Sequence, residues 1–484
     1  MKRRLLQSVL AVLLMMLTPL LVSAQDTVNN SGFQIQNLSE STAAQVTIEY
    51  YAEGGSSTPV ATQDVTIPAG GSVTIFDGTG GTIAMAAPTN FRGSVVLNSN
   101  QPVAAIANLL GVSIGASYGG FDSGATTASL PLVTRANFGV STAFSVQNTS
   151  DSAVTVNVSY IPGVVGNSGV TDTATIQPGA TRIFSQGAKN ELGARFVGSA
   201  QVSSTGGSIV ATVLQEGNTQ LLAYNGFTGG SSTVAIPLLV ANNFGALTGL
   251  QIQNSGDATT NITVTYSPNT VSGSGACGTP PADTFALAAG ASRTLIQAGG
   301  SAEEGFNNFF ATCRYVGGAI ITNSADQPVV AIVNQVNANN REASAYEGFP
   351  SAIATSTVEA PLVFANNFNL LSGVQVQNAG SAAANVTITY GPNTVTDTPS
   401  GALAPCSTPT ARTRSIAPGA SFTFIQSGLG NEADGFDSQF ASCRYVGSAT
   451  ITASGGQIVA IVNQVNSAAP ATDDTLFTYN AFNQ

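Results

Sequence analysis

The sequence predicts an all-β fold, built from antiparallel sandwiches in tandem behind an export leader. Three observations carry that reading. β-branched and turn-forming residues dominate, while Lys, Glu and Met, which favour soluble surface helices, are scarce. Apolar and polar residues alternate with the period of two expected for strands. One phrase also recurs four times at domain-sized steps: GFQIQN (32–37), AFSVQN (143–148), GLQIQN (249–254) and GVQVQN (373–378). Its final residues, Asn37, Asn148, Asn254 and Asn378, lie 111, 106 and 124 residues apart. Such steps are too long for a solenoid repeat and suit whole sandwich domains.

The chain opens MKRRLLQSVLAVLLMMLTPLLVSAQ. Lys2, Arg3 and Arg4 precede an apolar run from Leu5 to Val22, and Val22-Ser23-Ala24 closes it with small residues. This is the pattern of a secretory signal peptide over residues 1–24, cut after Ala24. The competing reading is a retained anchor, since the run is about long enough to span a bilayer. Pro19 and the small-residue exit favour cleavage. The processed chain is expected to contain no further membrane span and to be secreted, extracellular or surface-associated. Net charge is −11. It becomes −14 once the three basic residues are removed, so nucleic acid is not an expected partner.

Each block then repeats the same landmarks. The QN phrase and the following polar break and apolar run, as in GLQIQNSGDATTNITVTYSPN (249–269), read as a two-stranded hairpin with one buried face. Ile252, Ile262, Val264 and Tyr266 are expected inward, with Gln251, Gln253 and Asn254 outward or at the turn. A variable strand follows, then a Pro-x-Gly turn (IPAGG, IQPGA, LAAGA, IAPGA) leading into another strand. Next come FRGS, RFVGS, RYVGG or RYVGS, and then an apolar run such as IVAIVNQVN. Each block closes on an aromatic pair: Tyr118 with Phe121, Tyr224 with Phe227, Tyr346 with Phe349, and Tyr479 with Phe482. The pairs read as core plugs or packed joints in preference to sugar-stacking platforms.

Counting the strand that contains LPLV, IPLLV or APLVF, about seven strands fall in each block. The pattern resembles the tandem immunoglobulin-like or fibronectin-type β-sandwich modules of bacterial secreted and surface proteins. That resemblance implies four domains, at 25–123, 124–230, 231–353 and 354–484. The chain departs from antibody-type domains in having no Trp and no inter-sheet Cys pair in its first two blocks.

Four cysteines are present, Cys277, Cys313, Cys406 and Cys443. Within blocks three and four the spacings are 36 and 37, and the second member sits in CRYVG each time. Even number, matched places and an export leader point to Cys277–Cys313 and Cys406–Cys443 disulfides pinning an inserted loop.

Little catalytic chemistry is legible. With no His, Ser-His-Asp and Cys-His arrangements and His-based metal sites are excluded. The acidic loops, with Glu191, with Glu303 and Glu304, and with Glu432, Asp434 and Asp437, read as solvated. Calcium binding or paired-carboxylate catalysis are the sharper alternatives. Arg195, Arg314 and Arg444 occupy equivalent places and are expected to cover an apolar edge or pair with a loop carboxylate. Sequons occur at Asn148, Asn157, Asn261 and Asn385. No catalytic residue, metal site or cofactor is expected.

One imbalance stands out. LPLVTRANF, IPLLVANNF and APLVFANNF precede blocks two, three and four, and nothing similar follows the cleavage site ahead of block one. A terminal sheet edge is then open for strand addition. The functional expectation is a non-enzymatic structural or adhesive repeat protein of a bacterial cell surface or matrix, a spacer or assembly module partnering itself. The alternative is an array binding surface glycans or proteins.

Overall fold

A computed structural model describes residues 10–16, 28, 30–39, 41–76, 83–111, 113–217, 219–395, 398, 402–467 and 473–483. The expected cleavage site at 22–24 lies outside them. The described residues form eight β-sheets and no α-helix, with helical structure limited to one-turn 3-10 segments. By internal contacts the chain divides into two units, Met1–Ile161 with Gly166–Thr228, and Pro162–Val165 with Gly229–Gln484. Two sequence blocks fall in each unit, and every block has a pair of sheets.

Block one illustrates the plan. Its strands are β1 (Leu10–Met16), β2 (Asn30–Asn37), β3 (Ala44–Ala52), β4 (Ala61–Ile67), β5 (Ser72–Phe76), β6 (Ile83–Ala84), β7 (Gly93–Ser99), β8 (Val103–Leu110) and β9 (Gly115–Gly119). One sheet runs β1-β7-β3-β4 and the other β6-β5-β2-β8-β9. Neighbours are antiparallel except the short β5–β6 pair. Alternate residues such as Phe33, Ile35, Val46, Ile48, Val95 and Leu97 are fully buried between the sheets. This is the outcome expected where period-two alternation faces a core on one side.

The recurrent phrase is not a hairpin. In block three, Ala246–Asn254 belongs to one sheet and Thr260–Tyr266 to the other, so the break between them crosses the sandwich. The same holds for β2 and β3, and for the matching strands of the other blocks. Alternation alone gives the same signal for a hairpin and for an arch, because both bury every second residue. The inward set did follow from it: Ile252, Ile262, Val264 and Tyr266 are all buried.

Asn254 makes the crossing. Its side-chain Nδ2 donates to the carbonyls of Ala258 and Leu287 at 2.7 and 3.1 Å, and its Oδ1 accepts from Gly256 N–H at 3.0 Å. Its own N–H donates to Ala291 O, and its carbonyl accepts from Gly290 N–H. Gly290 holds a left-handed conformation (φ 71°) in the turn where Ala288 and Ala289 replace the Pro-containing pair of the other blocks. Asn37, Asn148 and Asn378 make the same side-chain contacts, and Gly70, Gly179 and Gly419 the same turn. A carboxamide suits the place because it donates twice and accepts at once, which satisfies backbone groups that no ladder reaches.

The LPLV-type strands are Thr127–Arg135, Thr233–Ala241 and Thr357–Ala365. Each pairs antiparallel with the strand that continues RFVG or RYVG in its own block. Each ladder slips at Pro131, Pro237 or Pro361, where a missing N–H makes a bulge the natural accommodation. The strand therefore belongs to the block that follows it in sequence order. In block one the corresponding place beside β7 is filled by β1, which lies within the expected leader.

Candidate functional site

The closing tyrosines of blocks two to four are internal ties. Tyr224, Tyr346 and Tyr479 are buried, and their hydroxyls donate to the carbonyls of Leu132, Leu238 and Leu362. The N–H of the same leucines donates back to the hydroxyls at 3.1–3.3 Å. Each tie thus closes on the Pro bulge of its own block. Burial raises the pKa of Tyr346 and Tyr479 above the ordinary phenol range.

Cys277 is bonded to Cys313 and Cys406 to Cys443. The inserted loops also run alongside the CRYVG strand, through Cys277 N–H to Arg314 O and Cys406 N–H to Arg444 O. Asn269 and Asn393, the last residues of the two longest copies of the phrase, bind both partners. Their Nδ2 groups donate to the Cys277 and Arg314 carbonyls, and to the Cys406 and Arg444 carbonyls.

Of the acidic-loop residues, Glu191, Glu303, Glu432 and Asp434 are exposed and Glu304 is half-buried, whereas Asp437 departs from the solvated picture. Asp437 is only 5% exposed, binds Arg412 at 2.8 Å and accepts Gln439 N–H at the start of a 3-10 turn. Glu432 holds the same guanidinium at 3.2 Å. In block three the place of Asp437 is taken by Asn307, which accepts from Phe309 N–H. Glu303 is exposed. Among the described residues no group of His, Cys, Asp and Glu is arranged to hold a metal ion. Asn148 is buried in its arch, whereas Asn157, Asn261 and Asn385 are exposed on strands.

A cleft of about 420 Å³ in the first unit is lined by Glu49, Tyr51, Asn98, Asp122 and Asp151, among others. Its Glu49 accepts from Tyr51 Oη at 3.1 Å and Asn98 Nδ2 at 3.0 Å.

The arginines lead to residues that the sequence reading did not single out. Arg195, Arg314 and Arg444 place their guanidinium groups 4.8, 4.4 and 5.0 Å from the ring centroids of Phe138, Phe244 and Phe368. Arg195 and Arg314 also donate from Nε to Asn137 and Asn243. They cover an aromatic ring, one of the two roles expected of them. Each ring sits at a two-residue turn, closed by Asn137 with Val140, Asn243 with Ala246, and Asn367 with Leu370. Both central residues have positive φ: Phe138 and Gly139, Phe244 and Gly245, Phe368 and Asn369. Asn or Gly is usual in the first of those positions, and a bulky residue there is an outlier that costs about 1–3 kcal/mol. The rings are nevertheless 77, 78 and 61% exposed. The legible signal was ANF or NNF after each LPLV-type strand.

Such a turn presents one aromatic face to solvent and backs it with a cation. It can stack a ligand but offers no acid, base or nucleophile. Comparison with protein families finds no matching family model, and comparison with the curated proteins finds no match.

Proposed function

We propose that the chain is an exported, non-enzymatic structural or adhesive repeat protein of a bacterial surface or matrix, with sandwich blocks serving as spacer and assembly modules. The observation that carries this is how blocks within a unit are joined. In the second unit, Gln375 and Gln377 donate to the carbonyls of Pro237 and Ala319 in the other block at 3.0 Å. Gln335 is bound to Asn463 and Thr478, and Asn480 to Glu347 O. In the first unit, Asn225 donates to Gly119 O and Ser94 to Gly179 O. Polar repeat residues thus fix one block on the next, as a stiff spacer needs. Fractionation of the producing cells, with antibody labelling of intact cells, tests the location. Protein confined to the cytoplasm would sink the proposal.

A second reading is favoured by the Arg-backed turns: an array that binds surface glycans through Phe138, Phe244 and Phe368. Its test is a glycan array with the processed chain and with the triple Phe→Ala variant. Binding lost in the variant supports this reading, and absence of binding in both removes it.

A further inference from the structure

In blocks two to four one place in the sandwich is always filled by an LPLV-type strand. Opposite the repeated Gly stand Val133 (Gly198), Leu239 (Gly317) and Val363 (Gly447). Farther along, Ala128 faces Val202, Val234 faces Ile321 and Val358 faces Ile451. These strand residues are buried to 2% exposure or less, so the place is part of the core. In block one β1 follows the same direction and register, with Met16 opposite Gly93, Leu14 opposite Val95 and Val12 opposite Leu97. The bulge alone is missing, in keeping with the absence of Pro from Leu10–Met16.

Cleavage after Ala24 removes that strand. Only residues 25–29 then precede β2, no more than the turn of residues 136–140 that joins the equivalent strands in block two. The processed chain cannot refill the place from its own start. An edge of unpaired β7 backbone and the buried side chains of Val95 and Leu97 would be uncovered.

We propose that the processed protein accepts along β7 an extended, mainly aliphatic strand donated by another polypeptide, antiparallel to β7 and completing that edge of the sheet with alternate side chains in the core of block one. This rests on the export reading above. The chemistry of the donor follows from what the place holds: LAVLLMM in β1, and TASLPLVTR, TVAIPLLVA and TVEAPLVFA in the other blocks. A second copy is not the donor of choice, because each of its own LPLV-type strands is already paired within its block. Main-chain hydrogen bonds would supply affinity, and the alternate apolar side chains the selectivity.

The experiment uses the chain beginning at Gln25 and a fluorescent peptide of sequence TASLPLVTR. Expected are saturable anisotropy and slowing of amide exchange across Gly93–Ser99 by at least about tenfold. A peptide carrying Leu130→Asp and Val133→Asp should give neither. No binding and no protection by the parent peptide overturns the proposal. Protection without peptide in a chain that scatters light as a dimer also overturns it, in favour of a second copy. The mass of the protein recovered from the producing cells separates the two levels: a start at Met1 defeats the cleavage on which the export reading relies and leaves β1 in place. A start at Gln25 with no peptide binding defeats the acceptor proposal alone.

Discussion

Asn378 shows how much one residue determines here. Its carboxamide holds the carbonyls of Ala382 and Ile416 and the N–H of Gly380, all at a crossing between sheets. Truncation to Ala removes three bonds and leaves buried polar groups without partners, at roughly 1–3 kcal/mol for each group that water cannot reach. We therefore expect Asn378→Ala to lower the stability of the second unit by about 2–4 kcal/mol, measured by urea unfolding. A change below about 0.5 kcal/mol would show that water replaces the side chain. Phe244 is the opposite case. It is exposed and has positive φ, so Phe244→Gly relieves backbone strain while losing the stack on Arg314. These effects oppose each other, and stability should stay within about 1 kcal/mol of the parent. A larger loss would assign the ring a structural task and weaken the glycan reading.

At the scale of elements, the inserted loops are held twice, by disulfides and by the Asn269 and Asn393 contacts. Opening the Cys277–Cys313 loop of 36 residues in a Cys277→Ser, Cys313→Ser variant should cost about 3–4 kcal/mol in the chain-entropy account. Calorimetry should place that loss in the second unit alone, because no cysteine lies before residue 277. An equal shift in both units would show that the disulfide's effect is not confined to the second. The arch is where local reading stopped short. The sequence places Ile252 and Ile262 on a buried face, yet it is silent on which strand each will pair with. The partners of Ala246–Asn254 are Ser292–Ile296 and Val329–Asn337, distant in the chain, so register there is set by nonlocal contacts.

For the molecule as a whole, the alkaline limb of the pH dependence is governed by buried phenols. There is no His, and burial pushes Tyr315 and Tyr445 up to about 12, with Tyr346 and Tyr479 also raised. An unfolded phenol titrates near 10. A folded pKa above the unfolded value means this stabilisation is complete below pH 10 and is lost as pH climbs through 12. Urea midpoints should fall above about pH 10 relative to those near pH 9. A midpoint unchanged at pH 11.5, an approximate upper working limit, would show that these hydroxyls ionise without unfolding.

The sequence by itself determined the β class, the four blocks, the Cys spacing and the inward residues, because composition and period-two alternation are local properties. It also located the unmatched strand, since four copies of a phrase against three of another can be counted. Tertiary structure decided the rest. Gln375 and Gln377 point away from their own core as alternation requires, yet they are buried because a second block covers that face. Gln251 and Gln253, expected outward, are 2 and 0% exposed, while Gln34 and Gln36 stay half-buried. Asn254, expected at the turn, is there but fully buried. Side-chain direction is written in the strand, whereas burial depends on what the outer face meets. Likewise Arg314 is visible in sequence, and only the fold brings Phe244, some seventy residues earlier, beneath its guanidinium.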